Sequence, residues 1–193
     1  MPLNIGLVYD LRSDYIAAGF PPEAVAEFDS SETIDSLDSA IQALGYHTER
    51  VGNARALCAR LVAGARWDLV FNIAEGLHGR GREAQVPAIL DVYNVPYTLS
   101  DPLVCAVTLD KAVTKRLVRS ACVNTARFAV VDDATRLHAV KLEYPLFAKP
   151  VAEGSSKGVS SDSIARDPAA LARVVKRLLD EFHQPVLVEE YLP

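Results

Sequence analysis

Lys149 ends a largely apolar run, residues 144–150 (YPLFAKP), and is followed closely by Gly154, Ser155, Ser156, Lys157 and Gly158. An ammonium at the end of a buried strand, beside a loop whose glycines let backbone N–H groups turn outward, suits a polyanion such as a phosphate chain. By itself such a loop is an ordinary surface turn more often than a phosphate loop. The Gly-x4-Gly-Lys-Ser/Thr order of a P-loop is absent, and no Gly-x-Gly-x-x-Gly follows the first apolar run.

A second group of candidates lies upstream. Glu75 ends the run WDLVFNIAE and precedes Gly76, which is where ligand contacts fall in an open α/β sheet, although a turn glutamate would look the same. His78, Arg80 and Arg82 flank that loop and could meet a carboxylate, Arg82 equally a capping or surface-pairing residue. Asp101, Asp110 and Asp162 sit beside turns or helix starts, where a carboxylate commonly caps. No metal-binding residue is assigned. Cys58, Cys105 and Cys122 are odd in number and lack metal-ligand spacing, so they read as reduced core thiols of a cytosolic protein.

The elements that must position these residues alternate. LNIGLVYD reads as a buried parallel strand, and Asp29 with Glu32 three residues later as a capping box for the helix SETIDSLDSAIQALG. YHTERVG is a strand, NARALCARLVAG a helix closed by glycine, and WDLVFNIAE another buried strand. This pattern predicts right-handed βαβ units around a parallel sheet. EAQVPAILDVYNVPYTLS reads as a helix and a short strand, and the character then changes near residues 100–108. DKAVTKRLVRSA is a basic amphipathic helix, RFAVV a strand, DATRLHAVKLE a short helix and YPLFAKP a strand. KGVSSDS reads as a further strand, DPAALARVVKRLLDEF as a helix with Pro168 in its first turn, and PVLVEEY as the last strand. Residues 1–104 and 105–193 are the expected domains.

The 193 residues are half apolar, enough for one large core or two small ones, and the net charge of −5 argues against a nucleic-acid partner. No basic leader precedes the first apolar run and no 18 apolar residues follow one another. The expectation is a soluble, cytoplasmic protein with a small-molecule partner and no membrane contact.

Taken together, TLDKAVTKRL, YPLFAKP, AEGSSKGVS and VLVEEYL occur in the order and approximate spacing of ATP-grasp enzymes, and the chain resembles D-alanine–D-alanine ligases most closely, over nearly its whole length. The resemblance implies a Rossmann-like N-terminal substrate domain with a parallel sheet, then the α+β nucleotide lobe of an ATP-grasp fold. It implies ATP and Mg²⁺ as cofactors, and amide formation between amino acids through an acylphosphate. Lys111 and Lys149 resemble the lysines that hold the nucleotide phosphates. Ser155, Ser156 and Gly158 resemble the mobile loop over the β- and γ-phosphates, and Lys157 either joins them or stays solvated. Glu189, Glu190, Tyr191 and Leu192 resemble the adenine hinge: Glu189 accepts from the exocyclic amine, backbone groups of Glu190 and Leu192 pair with the ring edge, and Tyr191 covers the purine face.

The family's metal ligands and catalytic arginine follow the adenine hinge, so the catalytic residues are expected beyond Pro193, the C-terminal lobe is expected to be missing, and the 193 residues alone are expected to be inactive. The alternative is a non-catalytic nucleotide-binding or partner-docking module completed by another chain. The segment YDLRSDYIAAGFPPEAVAEFDSSE departs from the family's first loop, leaving Glu27 as the candidate for a substrate ammonium or as a plain surface glutamate. Glu75 and Gly76 stand where the family has histidine and glycine, and the extra carboxylate favours a cationic group. The substrate stays open between D-alanine and another amino acid or small peptide, and a homodimer is a further possibility the resemblance raises.

Overall fold

The computed structural model describes residues 2–192. The chain divides into two compact units, Met1–Ala106 and Val107–Pro193.

Unit 1 is built on a three-stranded parallel sheet in the order β2-β1-β3, formed by β1 (Asn4–Val8), β2 (His47–Gly52) and β3 (Leu69–Asn72). Helices α1 (Arg12–Ala17), α2 (Ser31–Ala43), α3 (Ala54–Val62) and α4 (Gln85–Val92) follow the strands. Val8, Leu57, Leu61, Val70 and Leu90, each at most 2% exposed, gather around Trp67 to form its core. Burial on this scale is the main stabilising term, about 1.5–3 kcal/mol for each fully buried aliphatic side chain.

Several expectations change here. The α2 cap is Ser30, whose side chain accepts from the Thr33 N–H. The expected cap, Asp29, is tied by its own backbone to Asp10 and Arg12, so the first residue able to cap is one later. The strand expected within residues 94–100 is reduced to a bridge between Val70 and Tyr97, because Pro96 has no N–H to give and Leu99 turns away at φ 72°. Two helices went unread, α1 and α5 (Pro102–Leu109). Cys58 and Cys122 are exposed and Cys105 intermediate, so they are not core thiols.

Unit 2 holds α6 (Lys111–Ser120), β4 (Phe128–Val131), β5 (Leu146–Pro150), β6 (Ile164–Ala165), α7 (Pro168–Phe182) and β7 (Val186–Glu190). The strands form an antiparallel sheet in the order β4-β7-β5-β6. Alternation along β5 and β7 sends Leu146, Ala148, Val186 and Val188 to one face, where they pack with Leu171, Val174, Val175 and Leu178 of α7. Lys149, Leu187 and Glu189 take the other face, part of which is closed by Leu109 and Ala112. Asp167 caps α7 through the Ala170 N–H, with proline in the first turn.

The helix expected over residues 133–143 is a short 3-10 helix, Ala134–Ala139, because Asp133 caps at Thr135 and closes a tighter turn. The strand expected in KGVSSDS is replaced by a turn and a 3-10 helix, Ser161–Ser163, held by reciprocal Ser160 and Ser163 bonds. Among the described residues no helix is long and apolar enough to cross a membrane.

Candidate functional site

Lys149 and Glu189 meet because β5 and β7 pair in a register that sets Phe147 opposite Glu189 and Lys149 opposite Leu187. Directly opposed residues share a face, so Phe147, Lys149 and Glu189 stand together. The Lys149 ammonium reaches Glu189 Oε1 at 2.6 Å and lies over the Phe147 ring. From α6, Lys115 reaches the other oxygen, Oε2, at 2.7 Å and also donates to Thr125. Burial alone would raise the Glu189 carboxyl, but the hydrogen bonds and charges of Lys115 and Lys149 outweigh it and hold the group below its usual range. One carboxylate between two ammonium groups leaves a positive charge in excess. Lys115 was not singled out in the sequence; its spacing four residues after Lys111 puts both on one face of α6, and that was the available signal.

Lys111 begins α6 after the cap Asp110, its backbone N–H donating to the Val151 carbonyl at 3.1 Å. Its ammonium donates to the Glu153 carbonyl. Glu153 also accepts from Lys157, at 3.2 Å, and from Gln184. Beyond it, Lys157 N–H closes a turn onto the Gly154 carbonyl at 2.9 Å, with Ser155 and Ser156 at φ 45° and 61°. Two positive φ values in succession are the signature of a type I′ turn, a conformation serine adopts only with strain. Gly158 has no alternative residue: a Cβ there would lie 2.8 Å from Pro150 Cγ and 2.9 Å from Phe182.

At the end of β7 the Glu190 N–H donates to the Arg127 carbonyl and the Tyr191 N–H to the Pro145 carbonyl. Tyr191 stacks on Phe147 with ring centroids 6.4 Å apart, and Leu192 is exposed.

In unit 1, Glu27, Asp29, Glu75 and Glu83 line one cavity of about 350 Å³ with Asn72 and Cys105. The Glu27 side chain, 5% exposed, pairs at 3.0 Å with the buried Arg82, a partner 55 residues away that no local pattern announces. Burial first, then the charges of Glu83 and Glu27, push the Glu75 carboxyl up to about 7 against the opposing pull of Arg82. Gly76, at φ 72°, gives its N–H to Asp10 at 2.8 Å, and a Cβ there would meet the Arg82 carbonyl oxygen at 2.7 Å. Asp101 and Asp110 act as caps, accepting from Val104 and from Ala112 and Val113. Among the described residues no three His, Cys, Asp or Glu side chains gather as a metal site.

No family model matches the chain. An uncharacterized protein of Sinorhizobium fredii, y4sG, is 32% identical over 178 residues, 89% of this chain and 52% of that protein. D-alanine–D-alanine ligase B of Xanthomonas campestris is 37% identical over 142 residues, 68% of this chain and 44% of the ligase. The chain thus spans about half the length of the curated relatives it matches. The crystal structure of the Bacillus anthracis D-alanine–D-alanine ligase complexed with ATP superposes with a TM-score of 0.63 at 20% identity, over 99% of this chain and 60% of that one. A parallel-sheet unit followed by an antiparallel-sheet unit gives the chain the fold of that enzyme over the part it spans, and with relatives of that name it is D-alanine–D-alanine ligase-like.

Proposed function

We propose that the protein serves ATP-dependent carboxylate–amine ligation, with unit 2 holding the nucleotide and unit 1 an amino acid or small peptide. The reading rests on one observation above the others: the excess positive charge at Lys149 and Lys115, held in place by the buried Glu189. Such a preorganised cation loses little freedom when a polyphosphate arrives.

In this reading Lys149 and Lys111 contact the phosphates, and Ser155, Ser156 and Gly158 close over the β- and γ-phosphates and exclude water. The end of β7 and the residues after it, Glu189, Glu190, Tyr191 and Leu192, read adenine, with the Phe147–Tyr191 stack as an apolar surface for the purine. A carboxylate oxygen of the substrate attacks the γ-phosphorus of ATP, ADP leaves with the bonding electrons, and an acylphosphate results. The amine of a second substrate attacks the acyl carbon, phosphate leaves with the bonding electrons, and the amine loses its proton. The lysines neutralise charge during the transfer.

Glu27, Glu75 and Gly76 belong to the substrate side. The four carboxylates of their cavity favour a substrate ammonium, since a cation offsets the burial and the mutual repulsion that together raise Glu75. Titration calorimetry of ATP against the chain and its Lys149→Ala variant tests the nucleotide assignment. Loss of one charge-assisted contact should weaken binding by about 10- to 100-fold, whereas unchanged affinity removes Lys149 from the site.

A further inference from the structure

Unit 2 has a second concentration of positive charge, on the α7 side of its sheet. A cavity of about 390 Å³ opens between the 3-10 helix Ser161–Ser163, β6 and α7. Its apolar lining comes from Ile164, Ala170 and Val174, and Arg166, Arg173 and Arg177 also line it. α7 packs on the face of the sheet that carries Leu146, Ala148 and Val188. Lys149 and Glu189 alternate to the opposite face, so this cavity is separate from the lysine group.

Of the three arginines, only Arg177 is engaged by the fold; Arg166 and Arg173 are exposed. Arg177 pairs with Glu181 at 3.1 Å and donates to the Gly158 carbonyl at 3.3 Å. Among the described residues, the guanidinium groups of Arg166 and Arg173 have no ion-pair or hydrogen-bond partner. Elsewhere α7 sets opposite charges four residues apart, as in Lys176–Asp180 and Arg177–Glu181. Arg173 instead stands four residues before Arg177, a like-charge spacing that destabilises a helix. Of the two acids in the lining, Asp167 is committed to the α7 cap through the Ala170 N–H at 2.8 Å, and Asp162 leaves the arginines in excess.

We propose that this cavity binds a phosphate-bearing anion, with Arg166 and Arg173 as its principal ligands. Each guanidinium presents a planar fork matched to two oxygens. A tetrahedral dianion has oxygens for both forks at once, whereas a single carboxylate satisfies only one. Free phosphate and a phosphomonoester share this chemistry.

The test is calorimetric titration of the 193-residue chain at constant ionic strength, with inorganic phosphate and separately with phosphoserine. Saturable binding is the expected result, and the tighter of the two identifies the free ion or a monoester as the source. The Arg166→Ala/Arg173→Ala variant should bind at least about tenfold more weakly, a loss of ~1.4 kcal/mol. The Arg166→Lys/Arg173→Lys variant, which keeps the charge but loses the forks, should fall between; it replaces the alanine pair if that fails to show a native melting transition. Arg136→Ala, at an exposed arginine outside the cavity that pairs with Asp132, should bind as the parent does. No saturable binding, undiminished binding in the paired variants, or an equal loss in Arg136→Ala would each overturn the proposal.

Discussion

A carboxylate held by two ammonium groups and one crowded by other carboxylates titrate in opposite senses, and this chain has both. Glu189 has a depressed folded pKa, so its stabilising effect is present above its ordinary pKa and disappears as pH falls through the folded value. Glu189→Gln leaves Lys115 and Lys149 facing each other without a counter-charge, and should cost on the order of 2–4 kcal/mol near neutral pH. In urea unfolding the difference should narrow as the medium becomes strongly acidic; a gap independent of pH would exclude the ion pairs as its source. Glu75 has its folded pKa raised, to about 7 from an ordinary 4.5. Its folded form therefore holds the proton more tightly, and stability present below the ordinary value is lost as pH rises through the folded one. Glu75→Gln should stabilise the chain by about 1–2 kcal/mol near pH 8, after discounting for partial exposure, and change nothing near pH 4.

Elements decide whether such residues can be placed at all, and the turn at Gly154–Lys157 is the clearest instance. Ser155 and Ser156 each hold a positive φ, at a cost of about 1–2 kcal/mol apiece. Ser156→Gly should therefore raise stability in denaturant melts by about 1 kcal/mol while weakening ATP binding if the hydroxyl contacts a phosphate; weaker stability would show the turn is not strained. The sequence announces this loop by its composition but not its φ values, since two serines in left-handed conformation follow from the closure between β5 and the residues beyond. β1, β3, β4, β5 and β7 were legible as apolar runs between turn residues, β2 by its place between two helices although its sequence HTERVG is mostly polar, and α2, α3, α6 and α7 by caps and period. α1 was not, because none of its six residues is buried and no amphipathic pattern results. α5 was not, because its run PLVCAVTL is apolar almost throughout, which periodicity cannot distinguish from a strand. Two-residue β6 is too short to leave any pattern. In the same way Lys149 was legible from the run it ends, whereas the pairing of Glu27 with Arg82 depends on two segments brought together only by the fold.

Across the whole chain, charge is divided in a way that the net value of −5 conceals. Residues 1–106 carry seven arginines and no lysine against fourteen acidic side chains, a net of −7; residues 107–193 carry thirteen basic against eleven acidic ones, a net of +2. The unit proposed to hold ATP is thus cationic within an acidic protein, and the unit proposed to hold a substrate ammonium is anionic. Electrostatic attraction between partly exposed charges is screened over a length of about 10 Å at 0.1 M salt, a length that shortens as salt rises. ATP affinity should therefore fall several-fold as sodium chloride is raised from about 0.05 to 0.5 M. Lys149→Ala, with one phosphate contact fewer, should show a shallower dependence on salt than the parent chain. Parallel slopes in the two proteins would mean that Lys149 stabilises the sheet face through Glu189 and does not itself meet the phosphates.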